Sequence, residues 1–211
     1  MDKRILVYCG LHNGDGLETE INKSNYDLVY GFDANPDKIE ICKNRFTDSE
    51  KFKFFNNALT DKGGEDVTFN VYEKWDASSS LSELNPEYGH VKNDNGVLHG
   101  TTTKKVTVKS LNLGEFLKKE GIEKVDMLVT DLQGFDLTVI KTLEDYIRNQ
   151  KVGKILSEVE WDGKPAIYQN DKSNKFSDFN KFFGGLYRQV WHLPGSEDWW
   201  ETDMVFLPVK K

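Results

Sequence analysis

The chain has few cysteines and no long apolar run. Its only cysteines, Cys9 and Cys42, have neither C-x-x-C spacing nor a neighbouring ligand histidine, which excludes a disulfide framework and a zinc site. We expect both thiols to be reduced and buried. No apolar run approaches the ~20 residues of a membrane-spanning helix, and the first residues lead into a short apolar strand rather than a signal-peptide core. These absences predict an unexported, cytoplasmic protein without a membrane span.

Positive charge is also scarce. Lysine and arginine total 28 residues against 35 aspartates and glutamates, which gives a formal net charge of -7. Because nucleic-acid recognition depends on clustered lysine and arginine, this balance argues against a nucleic-acid partner and favours a neutral or polar substrate. The 211 residues, 37% of them hydrophobic, can bury one sizeable core. We therefore expect a single domain over residues 1–211, and the sequence leaves open whether it is a monomer or a homodimer.

Short apolar runs alternate with helical patterns along the chain. Continuous apolar runs such as Ile5–Cys9 are typical of parallel strands buried on both faces. Apolar residues spaced three and four apart predict helices, for example at 14–24 and 35–46. Two final strands, at 186–193 and 202–209, are separated by a short loop, which predicts an antiparallel hairpin. Further strands are predicted at Leu28–Asp33, 52–55, 125–131 and Ile155–Glu160. This pattern predicts an α/β, Rossmann-like fold with a mostly parallel seven-stranded sheet, helices on both faces and a C-terminal antiparallel hairpin.

The middle of the chain breaks this alternation. Residues 67–72 alternate between apolar and polar, which predicts a half-exposed edge or antiparallel strand. Residues 75–104 are rich in serine, asparagine, glycine and threonine, and a loop of this length is usually functional, so we interpret it as a substrate loop. Helices are predicted at 111–120 and 137–147, and an amphipathic segment at 176–183 carries a phenylalanine stripe for the core.

A glycine turn follows the first strand. In a doubly wound sheet this turn lies at the switch point where ligands bind, and Gly10 and Gly14 would let the backbone approach a ligand closely. Glycines alone would equally suit a tight strand-to-helix turn. Asp33 adds a second feature, since it ends the second strand ~20 residues later, where an acid accepts hydrogen bonds from a ribose diol. Together they predict an adenosine-containing cofactor, either S-adenosylmethionine or NAD.

Five runs along the chain resemble the motifs of one known family. Residues 8–14 read YCGLHNG, residues 31–36 read GFDANP and residues 56–61 read NNALTD. Residues 77–81 read ASSSL, and residues 126–136 read DMLVTDLQGFD, which is similar to the signature DLLKIDVEGAE. In this order and at this spacing the runs resemble the FkbM-type S-adenosylmethionine-dependent methyltransferases.

The resemblance implies a fold, an activity and a cofactor. It implies a class I methyltransferase fold and methyl transfer from S-adenosylmethionine to a hydroxyl oxygen. FkbM-type relatives methylate hydroxyls of sugars and natural products, so the implied acceptor is a carbohydrate or glycoconjugate, for example a deoxyhexose or a glycan. The cofactor contacts that the glycine turn, Asp33 and the resemblance predict are Gly10, Leu11, His12, Asn13, Gly14, Asp33, Ala34, Asn57, Ala58, Ser80 and Asp131.

Candidate catalytic residues lie where the fourth and fifth parallel strands end. Asp131, Gln133 and Glu160 would share one rim of the sheet with the glycine turn, and a carboxylate there could deprotonate a hydroxyl. His90, in the predicted substrate loop, is a further candidate base. Asp131 with Glu160 or Asp162 could instead bind a divalent cation such as Mg²⁺. The alternatives are a helix N-cap for Asp131 and solvated positions for the others.

Tryptophan is abundant, with five in the chain. Tryptophan faces commonly stack on sugar rings, so Trp75 and Trp161, which flank the predicted rim, could frame a sugar pocket. Trp191 lies in a predicted strand, and we expect it in the core.

Two rival functions remain open at the level of sequence. An NAD-dependent oxidoreductase would use the same turn and the same acid, although the chain has no Tyr-x-x-x-Lys site for hydride transfer. A non-catalytic cofactor-binding domain of a larger glycan-modifying protein is the second rival. It is motivated by Tyr8, Val129 and Gln133, which replace an acid, a lysine and a glutamate of the family's motifs.

Overall fold

A computed structural model describes residues 3–72, 76–85, 104–169, 173–197 and 199–210. The strands are β1 (Ile5–Cys9), β2 (Leu28–Asp33), β3 (Phe52–Asn56), β4 (Ala58–Leu59), β5 (Asp66–Val71), β6 (Lys104–Leu111), β7 (Met127–Thr130), β8 (Ile155–Glu160), β9 (Tyr187–His192) and β10 (Glu201–Pro208). The helices are α1 (Asp15–Lys23), α2 (Pro36–Arg45), α3 (Leu113–Lys119), α4 (Asp136–Thr142), α5 (Glu144–Arg148) and α6 (Phe176–Phe183).

Seven strands form the main sheet, in the order β3-β2-β1-β7-β8-β10-β9. The pairs from β3 to β8 are parallel, and β10 pairs antiparallel with both β8 and β9. The predicted mostly parallel sheet with a C-terminal antiparallel hairpin is therefore confirmed. Because the chain runs outward from β1 to β3 and then returns to β7 on the other side of β1, the switch point lies between β1 and β7.

Helices cover both faces of this sheet. Along β1, Val7 belongs to a core cluster that includes α3, α4 and α6 residues, whereas Leu6 belongs to a cluster that includes α1 and α2 residues. This alternation follows from the two-residue period of a strand, which sends neighbouring side chains to opposite faces. Phe179 and Phe183 of α6 are fully buried, as the phenylalanine stripe predicted, and both cysteines are free and buried.

A small second sheet, β4-β6-β5, was only partly predicted. The alternating segment 67–72 corresponds to β5, which pairs antiparallel with β6. The predicted loop ended at Lys104 and the predicted helix began at Leu111. In the structure these two residues are instead the first and last residues of β6. Valine and threonine at alternate positions favour a strand here. Helix α3 begins two residues later because the Asn112 side chain accepts a hydrogen bond from Glu115 N and caps it.

Two smaller expectations were wrong. The predicted helix 137–147 is two helices, α4 and α5, separated at Leu143. Trp191 was expected in the core, yet it is 43% exposed on β9.

Across the described ranges, no helix combines the length and apolar character that a bilayer span would need.

Candidate functional site

A cleft of about 760 Å³, counting its open mouth, lies at the carboxyl ends of β1, β2 and β7. Its walls come from the glycine turn, the end of β2, the β3–β4 connection, the segment after β5 and the loop after β7. Seven of the predicted cofactor contacts line it: Gly10, His12, Asp33, Ala34, Asn57, Ala58 and Asp131. The structure therefore brings together residues that the sequence spreads over more than 120 positions.

The glycine turn is shaped by close backbone packing. Gly10 has φ of +90°, and a Cβ atom there would lie 1.9 Å from the carbonyl oxygen of Asp131. Gly10 N also donates to the carbonyl oxygen of Phe32 (2.9 Å). Glycine is required at position 10 because only a residue without Cβ can pass between β2 and β7 in this conformation.

Asp33 is held by backbone groups on both of its oxygens. Oδ2 accepts a hydrogen bond from His12 N and Oδ1 accepts one from Asn35 N, both at 2.8 Å. Burial raises the pKa of this carboxyl, and the two backbone hydrogen bonds oppose that shift. Each carboxylate oxygen can accept a second hydrogen bond. The carboxylate is thus oriented in advance, with acceptor capacity left for the two hydroxyls of a ribose.

Ionic contacts of Asp76 with Lys38 and His12, which the sequence did not predict, lie along one side of the cleft. Asp76 Oδ2 pairs with Lys38 Nζ (2.5 Å), and Asp76 Oδ1 lies 2.9 Å from His12 Nε2. Lys38 Nζ also donates to Asn13 Oδ1 (2.8 Å). Partial burial would raise the pKa of Asp76, but the hydrogen bonds from Lys38 and His12 outweigh it and hold the pKa below its usual value. The described start of the predicted substrate loop therefore borders the cleft.

Four predicted cofactor contacts support the cleft rather than line it. Leu11 is buried in the core beside α1 and α2, and Gly14 lies at the amino-terminal cap of α1. Asn13 holds Lys38. Ser80 is fully buried, and its Oγ donates to the carbonyl oxygen of Gln133 (2.8 Å). The side chains of Leu11, Asn13 and Ser80 contact the protein itself and Gly14 has none, so a cofactor contact by these four residues stays a prediction.

The loop after β7 carries a second acid into the cleft. Asp131 Oδ1 accepts a hydrogen bond from Gln133 Nε2 (2.7 Å), which also donates to the two carboxylate oxygens of Glu158 at 3.2 and 3.1 Å. The Tyr168 hydroxyl donates to Gln133 Oε1. The protein packed around Asp131 raises its pKa to about 6, although the hydrogen bond from Gln133 opposes the shift.

The proposed N-cap role of Asp131 is wrong. Helix α4 begins at Asp136, five residues later, and its cap residue makes no side-chain hydrogen bond. It is Asp136, fully buried, that accepts from Leu132 N (3.0 Å) and so orders the turn. Asp131 therefore does not cap a helix.

The structure does not bring Glu160 or Asp162 to the cleft. Glu160 is 1% exposed, forms an ion pair with Lys175 and accepts from Ile167 N (3.2 Å), so it is neither a solvated strand end nor available to a substrate. Asp162 accepts from Ser177 N and Ser177 Oγ at the start of α6. The predicted metal set of Asp131, Glu160 and Asp162 therefore does not assemble. Among the described residues, no three His, Cys, Asp or Glu side chains form a metal-binding group.

Two further predictions concern the rim. His90 and Trp75 lie outside the described residues. The Trp161 ring contacts Phe176 and His192 edge-on, with centroid separations of 6.1 and 5.3 Å, and its Nε1 donates to the carbonyl oxygen of Ser196 (2.8 Å). Trp161 thus packs between α6 and the final hairpin and does not frame the cleft.

Comparison with known proteins agrees with this geometry. Residues 9–182 match the family described as the methyltransferase FkbM domain. Among curated proteins, no sequence matches the chain significantly.

Solved structures share the fold at low sequence identity. A methyltransferase FkbM from Methylobacillus flagellatus KT is 13% identical with a TM-score of 0.55, over 97% of this chain and 43% of that one. An rRNA methylase from Streptococcus thermophilus is 11% identical with a TM-score of 0.51, over 99% of this chain and 89% of that one. WbdD is 9% identical with a TM-score of 0.50, over 97% of this chain and 35% of that one. The chain thus spans less than half the length of the first and third of these proteins. Because the family match extends over most of its residues, this chain belongs to the FkbM methyltransferase family.

Proposed function

We propose that this chain is an S-adenosylmethionine-dependent O-methyltransferase that acts on a hydroxyl of a sugar, such as a deoxyhexose or a glycan, within one catalytic domain over residues 1–211. The observation that carries the proposal is the cleft at the switch point, where a pre-oriented binding acid, Asp33, and a second acid with a raised pKa, Asp131, line the same space. Membership of a methyltransferase family speaks against the NAD-dependent alternative.

The cleft has the chemical character that the adenosine part of the cofactor requires. The oriented Asp33 carboxylate offers acceptors for a ribose diol. Ala34, Ala58 and Phe69 form an apolar cluster on the neighbouring wall, which suits a flat, weakly polar base. When bound, S-adenosylmethionine supplies an electrophilic methyl group.

Asp131 is the group that we assign to proton removal from the acceptor hydroxyl. A general base works best when its pKa lies close to the operating pH, and the pKa of about 6 leaves Asp131 ionised at neutral pH while making it a stronger base than an ordinary aspartate. Its Oδ1 is occupied by Gln133, and Oδ2 has no hydrogen-bond partner among the described residues. The hydroxyl proton therefore moves to Oδ2.

A neutral, hydroxyl-rich acceptor suits the charge of this region. Burial is the main cause of the raised pKa values of Asp131 and Glu158. Asp203 adds to the first and Glu201 to the second, so carboxylates surround the loop after β7. Carboxylates accept hydrogen bonds from sugar hydroxyls and repel a phosphate backbone. The likeness to an rRNA methylase, at 11% identity, concerns the fold alone. We therefore propose a carbohydrate acceptor rather than a nucleic acid.

Binding and transfer can be tested separately. Calorimetry with S-adenosylhomocysteine and with NAD should detect only the former, and NAD binding alone would end the methyltransferase proposal. Transfer of a labelled methyl group from S-adenosylmethionine to methyl α-rhamnoside and methyl α-fucoside should be detected with the wild-type chain. Tight cofactor binding without transfer to any glycoside would favour a non-catalytic domain.

A further inference from the structure

Gln133 lies at the centre of the polar contacts after β7. Its amide nitrogen has two hydrogens, and the structure uses both, one toward Asp131 Oδ1 and one shared by the two oxygens of Glu158. Its amide oxygen accepts from the Tyr168 hydroxyl. Every donor of this side chain is therefore engaged by a group of the protein.

The backbone of Gln133 is held as firmly as its side chain. Its carbonyl oxygen accepts from Ser80 Oγ at 2.8 Å, and its φ of +53° is a conformation that residues with a side chain seldom adopt. On its carboxyl side, a Cβ atom at Gly134 would lie 3.0 Å from the Tyr168 ring. Strained backbone of this kind persists only where surrounding contacts enforce it, and it is common at functional sites.

The amide of Gln133 donates to both carboxylates at once. A glutamate at position 133 has no N–H to donate, so it would place a third carboxylate between Asp131 and Glu158. The other charged groups that act on this pair are Asp136 of α4, Glu201 and Asp203 of β10, and Asp33 and His12 of the cleft. Of these only His12 favours the ionised form of Asp131, so Gln133 is the main donor that this carboxylate has.

We propose that Gln133 is a positioning residue for methyl transfer: its amide nitrogen holds Asp131 Oδ1 and so presents Asp131 Oδ2 to the acceptor hydroxyl. This inference rests on the proposed function, since it assigns a task to Asp131 in that reaction. The proton leaves the acceptor oxygen for Oδ2 and passes to solvent after the product departs. Gln133 itself is neither protonated nor deprotonated in this step. The raised pKa of Asp131 agrees with a carboxylate that depends on one neutral donor.

The central variant is Gln133→Glu, compared with Gln150→Glu as a matched control. Gln150 also has a positive φ, of +51°, and its Nε2 also donates two hydrogen bonds, to the carbonyl oxygens of Leu186 and Val209. It does not line the cleft. Gln133→Glu should lower kcat about 10-fold or more, up to the roughly 100- to 10,000-fold contribution of a general base, with the KM for methyl α-rhamnoside within about threefold. Gln150→Glu should leave kcat unchanged.

A double variant separates positioning from charge relief. In Gln133→Glu with Glu158→Gln, positions 133 and 158 again carry one amide and one carboxylate, now exchanged. Asp131 Oδ1 still lacks the donor that Gln133 provides. We expect the double variant to recover the urea stability lost in Gln133→Glu and not to recover kcat. Recovery of both would overturn the inference, because relief of repulsion would then explain the whole effect.

A readout without turnover completes the test. In carbon-13 NMR titrations of the full-length protein without acceptor, the Asp131 carboxyl should titrate at higher pH in Gln133→Glu than in the wild type, and the acidic limb of the kcat profile should move in the same direction. An unchanged Asp131 titration would overturn the inference. If the wild type binds S-adenosylhomocysteine but methylates no glycoside, the proposed function fails, and this titration still decides whether Gln133 controls Asp131.

Discussion

The two acids of the cleft end neighbouring parts of the same sheet, yet the protein treats them differently. Asp33 is 9% exposed and receives one backbone N–H on each oxygen. Asp131 opens onto the cleft, and among the described residues it receives a single side-chain donor on one oxygen. Backbone donors cannot rotate away, so they suit a carboxylate that binds and does not change. The difference teaches that Asp33 is fixed on both oxygens, which suits its proposed role in recognition, whereas Asp131 keeps one oxygen unoccupied by described residues, which suits its proposed role in proton removal.

The largest expected effect separates the two acids by function. Asp131→Asn should lower the rate of methyl transfer by about 100- to 10,000-fold, the usual contribution of a general base. Binding of S-adenosylhomocysteine, measured by calorimetry, should stay within about threefold because the amide keeps the size of the side chain. If transfer fell less than about tenfold, Asp131 would lose its assigned role.

The second prediction concerns the glycine that lies between the two acids. Gly10→Ala should destabilise the fold by about 2–5 kcal/mol, because the new Cβ would clash with Asp131 O and the backbone has a positive φ. Gly64→Ala is the control, since Gly64 has φ of +86° with open space around it, and it should cost about 1 kcal/mol. Urea unfolding measures both, and equal losses would refute the close approach at Gly10.

The third prediction tests recognition at Asp33. Asp33→Ala should weaken S-adenosylhomocysteine binding by about 1–3 kcal/mol, the cost of losing a charged hydrogen-bond partner. Asp66→Ala is a suitable control because Asp66, on β5, forms an exposed ion pair with Lys109, on β6, away from the cleft. An unchanged affinity in Asp33→Ala would remove this acid from the cofactor site.

The last prediction concerns the acids near Asp131 and their effect on how stability depends on pH. Burial, with nearby acids, raises the pKa of Asp136 to about 7 and that of Glu201 to about 8. Both values exceed the pKa values of these groups in an unfolded chain, so the folded state binds these protons more tightly, and the free energy of unfolding should fall as the pH rises from about 4 to 8. Glu201→Gln should make that fall smaller in urea unfolding, because the variant removes one of the two groups that cause it. Exposed Glu123→Gln should leave the pH dependence as it is.

Much of the fold could be predicted because its signals are local. β1 and β2 are continuous or nearly continuous apolar runs, and the ends of β1, β2 and β8 agree with the prediction. β6 was missed because its three lysines lie beside a segment of loop-like composition, and its partner strands, β4 and β5, are far from it in the chain. Tertiary pairing, rather than hydrophobic period, makes this segment a strand.

The candidate site likewise contains some residues that the sequence predicts and some contacts that it does not. Gly10, Asp33 and Asp131 could be predicted since each follows a strand that ends at one edge of a parallel sheet. Lys38 and Asp76 are separated by 38 positions, and Gln133 and Tyr168 by 35, and these contacts have no sequence signal. Glu160 occupied the right strand end for catalysis, but the fold buries it against Lys175.

The sequence by itself determined the α/β alternation, the switch point and the two acids that border it, because strand period, glycine conformation and strand ends are properties of short segments. The tertiary structure decided which polar groups are used inside the protein and which remain for a ligand. That choice depends on burial and on partners tens of residues away. It left Asp131 with a single amide donor and made Glu160 half of a buried ion pair.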